Sequence, residues 1–183
     1  MPNASAEPGK WKTKRTPYLK EPMDKFNEDC IDKIILCFGS QVGKTEAEMN
    51  MVGYALDQKP APLFVVYPSD ELAKFNSANR YQPMCKLTKP LAEKYRERES
   101  SLLELKFIGD NYMALDGANS PAGLSSRAIK YVFFDEIDKY PKFSGNEANP
   151  IKLATERTKT FMDRKIVMVS TPTIETGNIW QAY

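Results

Sequence analysis

Apolar positions along this chain gather into short runs separated by stretches of mixed polarity. The runs are Ile34 to Phe38, Leu63 to Tyr67, Tyr131 to Asp135 and Lys165 to Ser170. Each is too short for a buried helix and lacks the alternation of a strand with one wet face, so each predicts a strand covered on both sides. Behind the first run, TEAEMNMVGYALDQ is rich in helix formers and places Ala47, Met51 and Ala55 on one face, which predicts a helix. Glu71 to Arg98 has helical spacing and heavy mixed charge. Its Lys86, Lys89, Lys94, Arg96 and Arg98 are interleaved with Glu93, Glu97 and Glu99, the pattern of a solvated face rather than a DNA-binding patch. LLELKFI, the turn Gly109-Asp110-Asn111 and YMAL read as a small antiparallel hairpin, and GANSPAGLSS behind it as a flexible, turn-rich insert. Residues 1 to 30, rich in proline and charge, read as an N-terminal arm laid over a folded domain of residues 31 to 183. Strand runs alternating with helical segments predict an α/β fold whose mostly parallel central sheet carries helices on both faces. Ligands of such folds bind at the carboxyl ends of the strands.

Composition narrows the chemistry. A length of 183 residues fits one core, and 26 basic against 24 acidic side chains give no general polyanion-binding character, so any DNA contact must be local. Histidine is absent, which removes the usual base of nucleophilic triads and the commonest zinc ligand; carboxylates, lysine, arginine and hydroxyls must do the chemistry. Cys30, Cys37 and Cys85 are scattered and odd in number, arguing against a disulfide framework and for a reducing cytoplasm. The N-terminal residues lack the apolar core of a signal peptide, and no run of about 18 apolar residues follows, so a soluble protein that is not exported is expected.

Three motifs fall at the ends of predicted strands. In FGSQVGKT the amides of Ser40, Gln41, Val42 and Gly43 and the following helix N-terminus favour phosphate. Lys44 can reach the β and γ phosphates, and the Thr45 hydroxyl can bind magnesium. The match is imperfect, because Phe38 stands where the phosphate-loop pattern has its first glycine and Gly39 comes one place later; alone, GKT fits an ordinary surface turn as well. In YVFFDEID, an apolar run delivers Asp135 and Glu136 to a strand end, where buried carboxylates call for a cation. Asp135 suits a magnesium ligand and Glu136 the carboxylate that orients the water attacking the γ-phosphate. In VMVSTPT, Ser170, Thr171 and Pro172 leave a core strand expected beside the other two. Their hydroxyls can sense the γ-phosphate, although a plain strand-ending turn reads equally well.

These residues resemble the large terminase subunits of tailed phages, in particular the lambda-type, gpA-like branch. The likeness runs in order through PGKWKTKRTPYLKEPMD, SQVGKTEAEMN, PAPLFVVYPSDELAKFNSANRYQPM, GANSPAGLSSRAIKYVFFDEIDKYP and RTKTFMDRKIVMVSTPT. It implies a P-loop NTPase of the additional-strand, catalytic-glutamate type, using ATP and Mg2+. It also implies a homo-oligomeric ring that works with a portal protein and a small terminase subunit to translocate double-stranded DNA in the host cytoplasm. The nuclease domain that normally follows in the family is not expected within these residues, so no nuclease activity is expected from them.

Carried over by position, Lys44 and Thr45 match the phosphate and magnesium residues, Asp135 the Walker B aspartate, Glu136 the catalytic glutamate, and Ser170-Thr171-Pro172 the coupling motif. Arg127, before the third run, matches an arginine that reaches into a neighbouring subunit, with Arg157 and Arg164 as rival fingers. Two departures stand out. Leu19 follows Pro17-Tyr18 where many relatives have an adenine-reading glutamine, leaving Tyr18 either to stack on the base or to serve in ordinary packing, and the phosphate loop has no arginine of its own. Two other classes share parts of this pattern. A helicase-type or other nucleic-acid-dependent P-loop ATPase needs a second RecA-like domain, and a nucleotide-dependent assembly module that hydrolyses poorly has little use for Glu136.

Overall fold

A computed structural model describes residues 9–125, 127–173 and 175–182. Six strands form one sheet in the order β1-β6-β5-β2-β4-β3. They are β1 (Lys33–Cys37), β2 (Leu63–Tyr67), β3 (Glu104–Lys106), β4 (Tyr112–Gly117), β5 (Tyr131–Asp135) and β6 (Lys165–Ser170). All pairings are parallel except that of β3 with β4. Every residue of β2, β5 and β6 is buried, which is why these strands read as unbroken apolar runs. The last strand in sequence, β6, lies between β1 and β5, the inserted position that defines the additional-strand arrangement.

Side chains of successive strand residues point to opposite faces, so the sheet has two cores. On one face Leu36, Val65, Phe133 and Val167 pack against Ala47, Met51, Val52 and Ala55 of α2 (Lys44–Gln58). Helices α1 (Lys20–Lys25), α3 (Asp70–Asn76), α4 (Gln82–Leu87) and α5 (Lys89–Ala92) also precede β3. On the other face Phe64, Val66, Val132, Phe134 and Met168 pack against residues of α6 (Pro121–Ser125), α7 (Pro150–Glu156) and α8 (Asn178–Ala182).

The described part of the arm, from Gly9, is seated in the first core. Leu19 and Phe26 are fully buried, and the Phe26 ring lies 5.8 Å from that of Tyr131 and 5.7 Å from that of Phe133. The buried ammonium of Lys165 donates to the carbonyls of Glu28 and Ile31, tying the end of the arm to β6.

Two expectations need correction. Glu71 to Arg98 is not one helical stretch. It breaks into α3, a π-helical turn over Ser77–Tyr81, α4 and α5, and ends in a 3-10 turn over Glu97–Glu99. Thr88, at ψ 106°, interrupts it. Pro90 follows two residues later and takes one of the first positions of α5, where its missing N–H costs nothing. GANSPAGLSS is more ordered than its composition suggests, since Pro121–Ser125 is a helical turn; Ser126 lies outside the described residues.

That segment is held by a close carboxyl pair. The Gly117 amide donates to both Asp70 Oδ1 and Asp116 Oδ1 at 2.9 Å. A Cβ on Gly117 would lie 2.4 Å from Asp70 Oδ1, so glycine is required there. Burial, with Asp70 alongside, raises the Asp116 pKa to about 6. The native state therefore binds a proton more tightly than the unfolded chain, and stability falls as pH rises through the window from about 4 to 6. Asp116→Asn is expected to stabilise the protein at pH 7.5 by on the order of 1 kcal/mol, after allowance for the half-exposed carboxyl. In urea titrations the gain should vanish at pH 4; a gain of equal size at both pH values would show that charge is not its source.

Candidate nucleotide site

The carboxyl ends of β1, β6 and β5 meet at one point, and each delivers part of the site. Leaving β1, the loop 38–43 turns through Gln41 at φ 58° and Gly43 at φ 84°, both left-handed. Gly43 is the N-cap of α2 and supplies no side-chain cap, so the first amides of this 15-residue helix stay available to an anion. The arm braces the loop from outside. The Tyr18 hydroxyl donates to the Val42 carbonyl at 2.9 Å, its ring meets that of Phe38 edge-on at 6.0 Å, and a Cβ on Gly43 would meet Leu19 at 3.2 Å. The Tyr18 ring remains 48% exposed and so is available to a base, while Ser40 and Gln41 are exposed.

Lys44 is buried, and its ammonium joins the other two strand ends. It donates to Thr171 Oγ1 at 2.8 Å and pairs with Glu136 Oε1 at 3.2 Å. Glu136 itself adopts a left-handed conformation, φ 55°, uncommon for a residue with a side chain, and its other oxygen pairs with Lys139 at 3.2 Å. Asp135 is 5% exposed and its Oδ1 has no hydrogen-bond partner. Burial, with the neighbouring Glu136 charge, raises its pKa to about 6 despite Lys44. An orphaned buried carboxylate beside an uncapped helix N-terminus fits a divalent cation accompanying phosphate.

Ser170 is buried, and its Oγ accepts from the Asp138 amide at 3.2 Å. Asp138, absent from the sequence-based site, is the hub of this region. Its carboxylate accepts from the Thr173 amide at 2.8 Å, the Thr173 hydroxyl at 3.0 Å and the Ile179 amide at 2.7 Å. The sequence signal was available in the DEID spacing, which puts a third acid one 3-10 turn beyond Asp135. Pro172 is exposed.

Arg127 does not join this cluster. It pairs with Glu104 of β3 and lies over the Tyr112 ring at 5.2 Å from its centroid, among residues of the second core. Arg157 lines the same cavity of about 270 Å³, with its Nε buried and unpartnered, and Arg164 pairs with Asp32 at 3.6 Å.

Comparison with known families decides the affiliation: residues 5–183 match the model of the phage terminase large subunit gpA, ATPase domain. The chain belongs to that family. A search among curated proteins finds no match. Among solved structures, the ATPase domain of the Thermus phage P74-26 large terminase aligns at TM-score 0.55 and 19% identity, over 82% of this chain and 64% of that one. The bacteriophage HK97 large terminase aligns at TM-score 0.73 and 14% identity, over 97% and 36%. The large terminase of a thermophilic bacteriophage, in complex with ADP, aligns at TM-score 0.68 and 19% identity, over 92% and 42%. This terminase domain thus spans less than two thirds of each of those chains, and the structural likeness establishes the P-loop NTPase fold. Among its described residues, no helix is long and apolar enough to cross a membrane.

Proposed function

We propose that this domain hydrolyses magnesium-ATP to drive double-stranded DNA into a phage procapsid, as the motor part of a large terminase subunit. The observation that carries the reading is the convergence of Lys44, Glu136 and Thr171, from three strand ends, on a single ammonium. ATP would supply the phosphoryl group, and Mg2+, when bound, would neutralise its developing charge. The amides of residues 40–45 cradle the phosphates, and Lys44 exchanges its contacts with Glu136 and Thr171 for the β and γ oxygens. That exchange frees Glu136 to orient the attacking water, while Thr45 and Asp135 hold the cation. Ser170, Thr171 and Pro172 would sense loss of the γ-phosphate, through the bond of Thr171 to Lys44, and couple it to movement. Tyr18 would stack on the base. Arg127, which pairs with Glu104 and lies over Tyr112 rather than joining the residues around Lys44, would act as a finger in the next subunit of a ring mounted on the portal protein, with the small subunit delivering DNA in the host cytoplasm.

The test is ATP turnover by a large subunit that contains this domain, with and without portal and duplex DNA. Turnover should rise when both are present. Stimulation by single-stranded nucleic acid, with no response to portal or duplex, would instead support the helicase-type reading.

A further inference from the structure

The chemistry assigned to the nucleotide site leaves one buried acid without a task. Glu48 is 0% exposed, and neither carboxylate oxygen has a hydrogen-bond partner. Its position follows from two periodicities. On α2, Lys44, Glu48, Val52 and Ala55 recur at helical spacing on the face turned to the sheet, and all four are buried. On β5, Tyr131 and Phe133 belong to the core beneath α2, and alternation puts Asp135 on that same side. Glu48 and Asp135 therefore face each other across the layer between helix and sheet, behind the phosphate loop. Asp135 lies close enough to act on it, and Glu48 is driven well above the usual carboxylate pKa first by burial and next by Asp135.

Among the described residues no cation bonds to Glu48. Lys44 is committed to Glu136 and Thr171. Arg80 lends its field to Glu48 but pairs with Glu46. The nearby Tyr67 hydroxyl donates to Tyr81 rather than to Glu48. Nor do the described residues gather three His, Cys, Asp or Glu side chains that could hold a metal ion, so nucleotide phosphates and water would complete the shell. Magnesium sites of this kind keep several waters, which need acceptors behind them.

We propose that Glu48 is a positioning residue of the magnesium-nucleotide site, its carboxylate accepting hydrogen bonds from the water shell that Asp135 and Thr45 hold around the cation. The inference rests on the nucleotide-site reading and adds to it an acid that acts from behind Asp135. Removing such an outer acceptor weakens metal binding by roughly 10- to 100-fold without touching the groups that hold the base and phosphates.

The test is binding of ADP to this chain by calorimetry, with and without Mn2+. The water-proton relaxation of bound Mn2+ reports its hydration. In Glu48→Gln, affinity for ADP alone should stay within about twofold of the parent, Mn2+ affinity of the ADP complex should fall by roughly 10- to 100-fold, and the relaxation enhancement should change. Glu48→Leu should lose Mn2+ affinity equally while its Tm rises, because an apolar side chain replaces an unpaired buried acid. If both variants bind Mn2+ and ADP as the parent does, Glu48 is a core residue and the proposal fails, whatever happens to Tm. If the parent's ADP binding is itself indifferent to Mn2+, the nucleotide-site reading fails first and this one with it.

Discussion

Glu136→Gln is expected to bind ATP as the parent does and to hydrolyse it on the order of 10²- to 10⁴-fold more slowly, the contribution of a positioned general base. The amide keeps the size of the carboxylate and can still accept from Lys44, so the phosphate loop should be undisturbed. What is lost is the negative oxygen that polarises water. The left-handed backbone at Glu136 sharpens the expectation, since strain of on the order of 1 kcal/mol or more is tolerated where the side chain must point one way. Single-turnover hydrolysis together with fluorescent-nucleotide binding separates the two effects, in a large subunit assembled on portal and DNA. A parent-like rate in Glu136→Gln would remove Glu136 from the chemistry. Lys139→Ala serves as the comparison. It removes only the outer ion pair at 3.2 Å, between a mostly exposed ammonium and Glu136, and should change the rate by less than about tenfold.

The second large effect concerns Arg127. A finger supplied by a neighbour contributes on the order of 10³ to 10⁵ in rate, so Arg127→Ala and Lys44→Ala subunits should each be nearly inactive. Mixed and co-assembled, they should recover activity, because a Lys44→Ala subunit still offers its arginine to the sound phosphate loop of an Arg127→Ala neighbour. Within one chain the guanidinium is held by Glu104 and Tyr112 on the sheet face opposite α2. Glu104→Gln, which loosens that hold, should lower the concentration at which activity appears. A co-assembled mixture as inactive as its components would pass the role to Arg157 or Arg164.

The fold was legible where burial is two-sided. β2, β5 and β6 begin and end at the residues where their apolar runs do, and β1 is displaced by a single residue, because Lys33 joins the ladder while Phe38 starts the loop. The helix after the phosphate loop was legible for the same reason, its small apolar residues being spaced to fit a sheet. The segment from Glu71 was not, because its charges repeat at helical intervals through places where the backbone is broken by a π turn and by Thr88. In the candidate site, the meeting of Lys44, Glu136 and Thr171 could be foreseen from motifs because each motif couples a residue type to a strand end. Glu48 could not, because an acid in a helix ordinarily marks the wet side. Its burial shows only when its distance of four residues from Lys44 is set against the orientation of the helix on the sheet.

Asp138 gives the site a mechanical property. Three hydrogen bonds from residues 173 and 179 end on one carboxylate two positions after Glu136, and its own amide is bonded to Ser170. The turn that carries Glu136 and the segment leaving β6 are thereby tied together. Any displacement of Glu136 on nucleotide binding would therefore be passed on to Thr173 and α8, much as a crank passes on the stroke of its pin.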